Sequence, residues 1–87
     1  MIEIKYTRSC AKEIKKLPLS KQKKLFRLLK LLKKDRYHPL LHTKQLKGSF
    51  YNYFSFRITR EWLAIFHYLD SETIQLVHVG HRKDIYR

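Results

Sequence analysis

One cysteine, Cys10, is all the thiol this sequence has. That excludes an internal disulfide and a zinc site built on several cysteines, and it fits a reducing compartment. Glycine and proline are equally scarce, two of each, which leaves little room for disorder. No apolar run comes near the roughly 18 residues of a membrane span. The opening Met1-Ile2-Glu3-Ile4-Lys5-Tyr6 alternates where a signal peptide would carry an apolar block. The expectation is a cytoplasmic protein with no membrane contact. Metal ligands are also missing in any useful pattern: the five histidines stand at 38, 42, 67, 78 and 81, with no HExxH-like spacing. Neither a metal nor a cofactor is therefore expected.

Acidic residues are the most informative shortage. Seven Asp and Glu face 20 Lys and Arg, for a net charge of +13. A field so one-sided repels itself, and a polyanion or an acidic protein relieves it. The charge is uneven, because 15 of the 20 basic residues lie at or before Lys47. With 87 residues, 44% of them apolar and 14% aromatic, the chain is expected to form one domain, 1–87, around one modest core.

Periodicity supplies the elements. Ile2, Ile4 and Tyr6 alternate with Glu3 and Lys5, as in a strand with one buried face. Thr7 or Ser9 can cap a short helix in which Cys10 or Ala11, Ile14 and Leu17 share a side, and Pro18 ends it. Ser20 can cap a second helix to about Lys34, with Leu25, Phe26, Leu28, Leu29, Leu31 and Leu32 opposite a comb of lysines. Residues 35 to 49 read as a loop holding His42, Lys44 and Lys47. Three strands follow, over 50–58, 62–69 and 73–80, joined by turns short enough to make them antiparallel neighbours. The expected fold is α+β: an antiparallel four-stranded sheet with a two-helix hairpin packed on one face. The opposite face then carries Tyr51, Tyr53 and Arg57.

Arg57, Arg60 and Arg82, with Lys44 and Lys47, can collect around one phosphate. Tyr51, Tyr53, Trp62 and Tyr86 offer planes for unpaired bases. This combination suits single-stranded RNA, and cleavage without metal needs only modest machinery. The RNA supplies its own 2′-OH, while the protein supplies a base, cations for the phosphorane and an acid for the departing 5′-oxygen. Glu61, His81, Lys44 and Tyr86 are the available proton handlers. Each residue also has a plainer use. Trp62 opens an apolar strand and suits a core at least as well as a stacking surface. Tyr51 and Tyr53 suit an exposed strand, His67 and His78 suit structural roles, and Glu61 can simply pair with Arg60 or Lys44.

Taken together, Leu46-Lys47-Gly48, Phe56-Arg57-Ile58, the strand from Trp62 to Tyr68 and the closing Gly80-His81-Arg82-Lys83-Asp84-Ile85-Tyr86 resemble the RelE/YoeB/YafQ superfamily of bacterial toxins. The resemblance extends over essentially the whole chain, including the N-terminal strand and the lysine-rich hairpin. It implies the small RelE-like fold and an acidic antitoxin partner. It also implies metal-independent cleavage of mRNA on the ribosome, with ribosomal RNA contacts, and a toxin that is monomeric alone and joins a larger assembly with its antitoxin. By resemblance Lys44, Arg57, Glu61, His81, Arg82 and Tyr86 are catalytic, and Lys47, Tyr51, Tyr53, Arg60, Trp62 and Lys83 bind RNA. Leu63 departs from the pattern, since many members carry an arginine there, and the departure leaves Arg57 and Arg82 to supply that charge. Two other readings stay open: a ParE-like poison of DNA gyrase with no nuclease activity, and a basic RNA-binding module without toxicity.

Overall fold

The computed structural model describes residues 2–85. A first strand, β1 (Glu3–Tyr6), leads into α1 (Arg8–Lys16) through Thr7, whose Oγ1 accepts the Cys10 N–H at 3.1 Å. Of the two caps expected from sequence, Thr7 is the one used. The second helix, α2 (Leu19–Lys34), starts earlier than Ser20 would allow, with Pro18 at its cap. The Pro18 carbonyl accepts from the N–H groups of Lys21 and Gln22 at 2.9 and 3.0 Å, so the helix is under way before Ser20 is reached. Gln22 then folds back to donate to the Leu17 carbonyl at 2.8 Å, which fixes the bend of the hairpin.

The segment expected to be a loop holds a turn of 3₁₀ helix (Pro39–Leu41), a two-residue strand β2 (Lys44–Gln45) and a second 3₁₀ turn (Gly48–Phe50). Strands β3 (Tyr53–Arg57), β4 (Trp62–Asp70) and β5 (Thr73–His81) follow, and a short helix α3 (Arg82–Ile85) completes the described elements. The sheet has five strands in the order β1-β5-β4-β3-β2, where four were expected. It is also mixed: β1 lies parallel to β5, with Glu3 opposite Thr73 and Tyr6 opposite Leu76, and the other neighbours are antiparallel. The hairpin between β1 and the rest of the sheet is long enough for the crossover that a parallel pair requires.

Both helices pack on one face of this sheet. From the helices come Cys10, Ile14, Leu17, Leu25, Leu28, Leu29 and Leu32; from the sheet come Phe56, Ile58, Ala64, Phe66, Ile74, Leu76 and Val79, all buried. The leucine stripe of α2 is narrower than its sequence suggests, because Phe26 is left 47% exposed at its margin. Phe56 and Phe66 are fully buried with ring centroids 6.1 Å apart, and truncating either to alanine would remove about 3–5 kcal/mol.

Two details of β5 govern what lies on the opposite, open face. Its pairing with β4 slips between Ile65 opposite His78 and Phe66 opposite Leu76, leaving Val77 as the extra residue of a bulge. The slip inverts the alternation, so that Val79 enters the core while His78 turns to the open side. Beyond Leu76, β1 no longer covers the edge of β5, and α1 takes its place. Glu13 Oε1 accepts the Val79 N–H at 3.2 Å and lies 3.4 Å from His78 Nδ1.

Two outcomes follow. Glu13→Ala, which strands the Val79 N–H, lowers unfolding free energy by about 1–2 kcal/mol, read as a lower urea midpoint at unchanged slope. Burial, with Glu13 adding to it, raises the Cys10 thiol from 9.0 to about 12. Its contribution to stability is complete below pH 9 and declines as pH rises toward 12. Iodoacetamide at pH 8 therefore alkylates Cys10 in urea and leaves it intact in the native protein.

Candidate functional site

The open face narrows to a cleft where β3 ends, β4 begins and β5 gives way to α3. Its volume is about 310 Å³, and Lys44, Lys47, Arg57, Arg60 and Arg82 all line it. Register explains the gathering. Lys44 on β2 stands opposite Ser55, and Arg57, two residues further along the same side of β3, stands opposite Leu63. Leu63 in turn stands opposite Gly80 of β5, two residues before Arg82. Arg60 comes from the turn between β3 and β4, and Lys47 from the residue before the second 3₁₀ turn.

Among the described residues no carboxylate lines this cleft, and none of the five cations takes part in an ion pair. Leu63, only 7% exposed, forms an apolar floor beneath them. Cations converging over a low-dielectric floor attract an anion more strongly than the same charges spread in water.

The proton handlers expected from sequence do not all join them. Trp62 and His81 line a separate depression of about 390 Å³ on the helix side of the β5 terminus, together with Glu13, Lys16, Leu17 and Asp84. The two rings meet edge to face with centroids 5.3 Å apart, and His81 Nε2 lies 3.7 Å from Glu61 Oε2. His81 Nδ1 accepts the Lys83 N–H at 3.1 Å, so Nε2 is the nitrogen that carries the proton toward Glu61. Arg82 joins the two regions, since its side chain lines the cleft while its N–H donates to the Glu61 carbonyl at 2.8 Å.

Of the remaining candidates, Tyr51 is exposed and its carbonyl accepts from Gln45 Nε2 at 2.7 Å. Tyr53 is half-buried and stacks on His67, with centroids 5.0 Å apart and planes 20° from parallel. Lys83 is exposed on α3, and Tyr86 lies outside the described residues. Among the described residues, no group of three or more His, Cys, Asp or Glu is placed to hold a metal ion, and no helix is long and apolar enough to cross a membrane.

One residue of the cleft stands outside the expected set. His42 lines it from a left-handed backbone, φ 49° and ψ 44°, at the end of the first 3₁₀ turn. For a residue with a Cβ this conformation costs about 1–2 kcal/mol, although histidine tolerates it better than most. Its place in the loop with Lys44 and Lys47 was the only signal the sequence offered.

No protein-family model and no curated protein matches this sequence. Solved structures do. A YoeB/ParE toxin from Agrobacterium tumefaciens superposes with a TM-score of 0.80 at 19% identity, over 93% of this chain and 99% of the other. YafQ from E. coli strain BL21(DE3) gives 0.78 at 18% identity over the full length of both chains, 100% of each. The RelB-RelE antitoxin-toxin complex from Methanococcus jannaschii gives 0.75 at 24% identity, over 94% of each chain. This chain has the fold of the RelE, YoeB and YafQ toxins. Leu63 is the hydrocarbon floor of the cleft, and the charge surrounds it.

If the cleft concentrates the field, position matters more than charge count. Arg57→Ala, Arg60→Ala and Arg82→Ala each elute from immobilised heparin at distinctly lower salt than Lys23→Ala, a single-charge loss on the exposed side of α2. Equal shifts in all four would mean that the cleft adds nothing to the overall charge.

Proposed function

We propose that this protein is the toxin of a type II toxin–antitoxin system, a metal-independent endoribonuclease that cleaves translated mRNA on the ribosome and thereby inhibits translation. The observation that carries the reading is the cleft of five uncompensated cations over Leu63, at the strand ends of a RelE-type fold. A phosphodiester is the substrate such a cleft suits, because its charge increases on the way to the phosphorane and the cations act most strongly at that point. Arg57 and Arg82 neutralise the non-bridging oxygens, with Lys44, Lys47 and Arg60 holding the flanking backbone.

The reaction balances within the RNA. A base removes the 2′-OH proton, O2′ forms a bond to phosphorus, and the P–O5′ bond breaks. The departing 5′-oxygen collects a proton, leaving a 2′,3′-cyclic phosphate and a 5′-OH. Lys44 stands inside the cleft; Glu61 and His81 stand as a pair just across the β5 terminus and reach RNA that crosses it. Trp62 offers that RNA a stacking surface, and Tyr86 serves the leaving oxygen. The partner is an acidic antitoxin protein in the cytoplasm. A net charge of +13 suits such a partner, and the similar M. jannaschii structure is itself an antitoxin-toxin complex.

Primer extension on a reporter mRNA, with and without programmed ribosomes and in excess EDTA, tests this directly. Discrete cuts that require the ribosome and survive EDTA are expected. Arg57→Ala and Arg82→Ala reduce them by roughly 10²-fold or more and relieve growth arrest on induction, while leaving the thermal transition in place. Intact mRNA accompanied by DNA damage would replace this reading with the ParE-like one, in which gyrase is bound and no RNA is cut.

A further inference from the structure

Beside the cationic cleft the open face holds a second, smaller and more enclosed hollow of about 180 Å³. Phe50 and Tyr53 form one wall, and Ile65 of β4, Val77 of β5 and Ile85 of α3 supply apolar surface. Leu46 lines both this hollow and the cleft, so the two adjoin. Tyr53 and Ser55 lie on the same side of β3, which separates the aromatic wall from the cleft by roughly 7 Å along the strand. A ribose spans that step between its phosphate and its base.

The wall is held in place before any ligand arrives. Tyr53 stacks on His67 and meets Phe50 in a T-shaped contact, with centroids 6.3 Å apart at 80°. His67 is fixed in turn by Gln75, whose Oε1 lies 2.8 Å from its Nε2. Among the described residues the only titratable ring at the rim besides Tyr53 is His78, brought to this side by the β5 bulge. Its Nδ1 lies 3.4 Å from Glu13 Oε1, and its Nε2 has no hydrogen-bond partner among the described residues. An apolar slot with aromatic walls, one free polar edge and phosphate-binding cations next door matches an unstacked nucleobase.

We propose that this hollow receives a single base of the RNA whose backbone lies in the cationic cleft, and that His78 reads the edge of that base. The inference rests on the RNA reading above and adds a specificity pocket to it. Tyr53 and Phe50 give affinity without regard to base identity, because every base has a face to stack. His78 gives preference, because its Nε2 meets a donor on some bases and an acceptor on others. The bulge is the device that makes this possible: strict alternation would send His78 into the core and Val79 to the rim.

The test uses four fluorescent 2′-O-methyl heptamers, one for each base, which bind but lack the attacking hydroxyl. Anisotropy titrations at fixed low salt are expected to rank them unequally. Tyr53→Ala weakens all four by about tenfold, and His78→Ala brings the four affinities together while keeping their mean. Circular dichroism melts check that both variants stay folded, and Val77→Phe, which fills the hollow without removing a wall, should reproduce the tenfold loss. If all three fold and bind every heptamer as the parent does, while Arg57→Ala still binds weakly, the pocket is overturned and the RNA reading survives. Equal binding of the four heptamers by the parent, with a Tyr53→Ala loss, overturns the role of His78 alone. No binding of any heptamer by the parent overturns the pocket, while the RNA reading stands or falls by the ribosome-dependent cuts in primer extension.

Discussion

Everything on the open face depends on how β5 is held along its outer edge. For four residues β1 supplies a parallel neighbour, and then β1 ends. The next buried N–H on that edge, that of Val79, is taken by a carboxylate from a helix, Glu13 of α1. β4 pairs with β5 on the inner side as far as His81, so only the outer edge needs a substitute, and an N–H left unpaired there away from water would cost about as much as a lost hydrogen bond. β5 continues to His81, and its length delivers Arg82 to the cleft. The helical hairpin therefore does more than cover a core; it supports the end of the sheet that borders the cationic cleft.

The cleft is held together against its own electrostatics. Five cations around one hollow repel each other, and among the described residues no carboxylate in its lining relieves them. Apolar packing on the other side of the sheet offsets this, through Phe56, Phe66, Ile74 and Leu76 at essentially zero exposure. The two faces thus divide the work. One supplies stability that does not depend on ligand, and the other stores a repulsion that an anion releases, so binding energy and local strain relief act at the same place.

Much of this was legible beforehand, and the unreadable parts have physical reasons. The strands at 62–69 and 73–80 were plain because alternation and short turns both announce them, and the five cations that the sequence suggested could collect together line one cleft. β2 was invisible, because Lys44-Gln45 is too short for any period and becomes a strand only by pairing with Phe54 and Ser55. The parallel placement of β1 was also hidden. Short connections constrain neighbours in sequence, and nothing local says where a strand detached by two helices will return. The bulge at Val77 was hidden for a related reason, since a slipped register exists only between two strands. It moved His78 to the open side and left His81 opposite Trp62, in a different hollow from the cations. The place of Leu63 as the floor of the cleft was not legible either, because it depends on the pairing of three strands.

The sheet's two outer strands are its shortest, with two residues in β2 and four in β1. Both present charge to the outside, Lys44 on one and Glu3 and Lys5 on the other, all exposed. A long bare margin would invite a second copy of the chain to add its own strand and seed a growing ribbon. These margins are too brief and too charged for that. A small protein whose surface is already crowded with one sign of charge can thus remain dispersed at the concentrations a cell reaches before any partner is made.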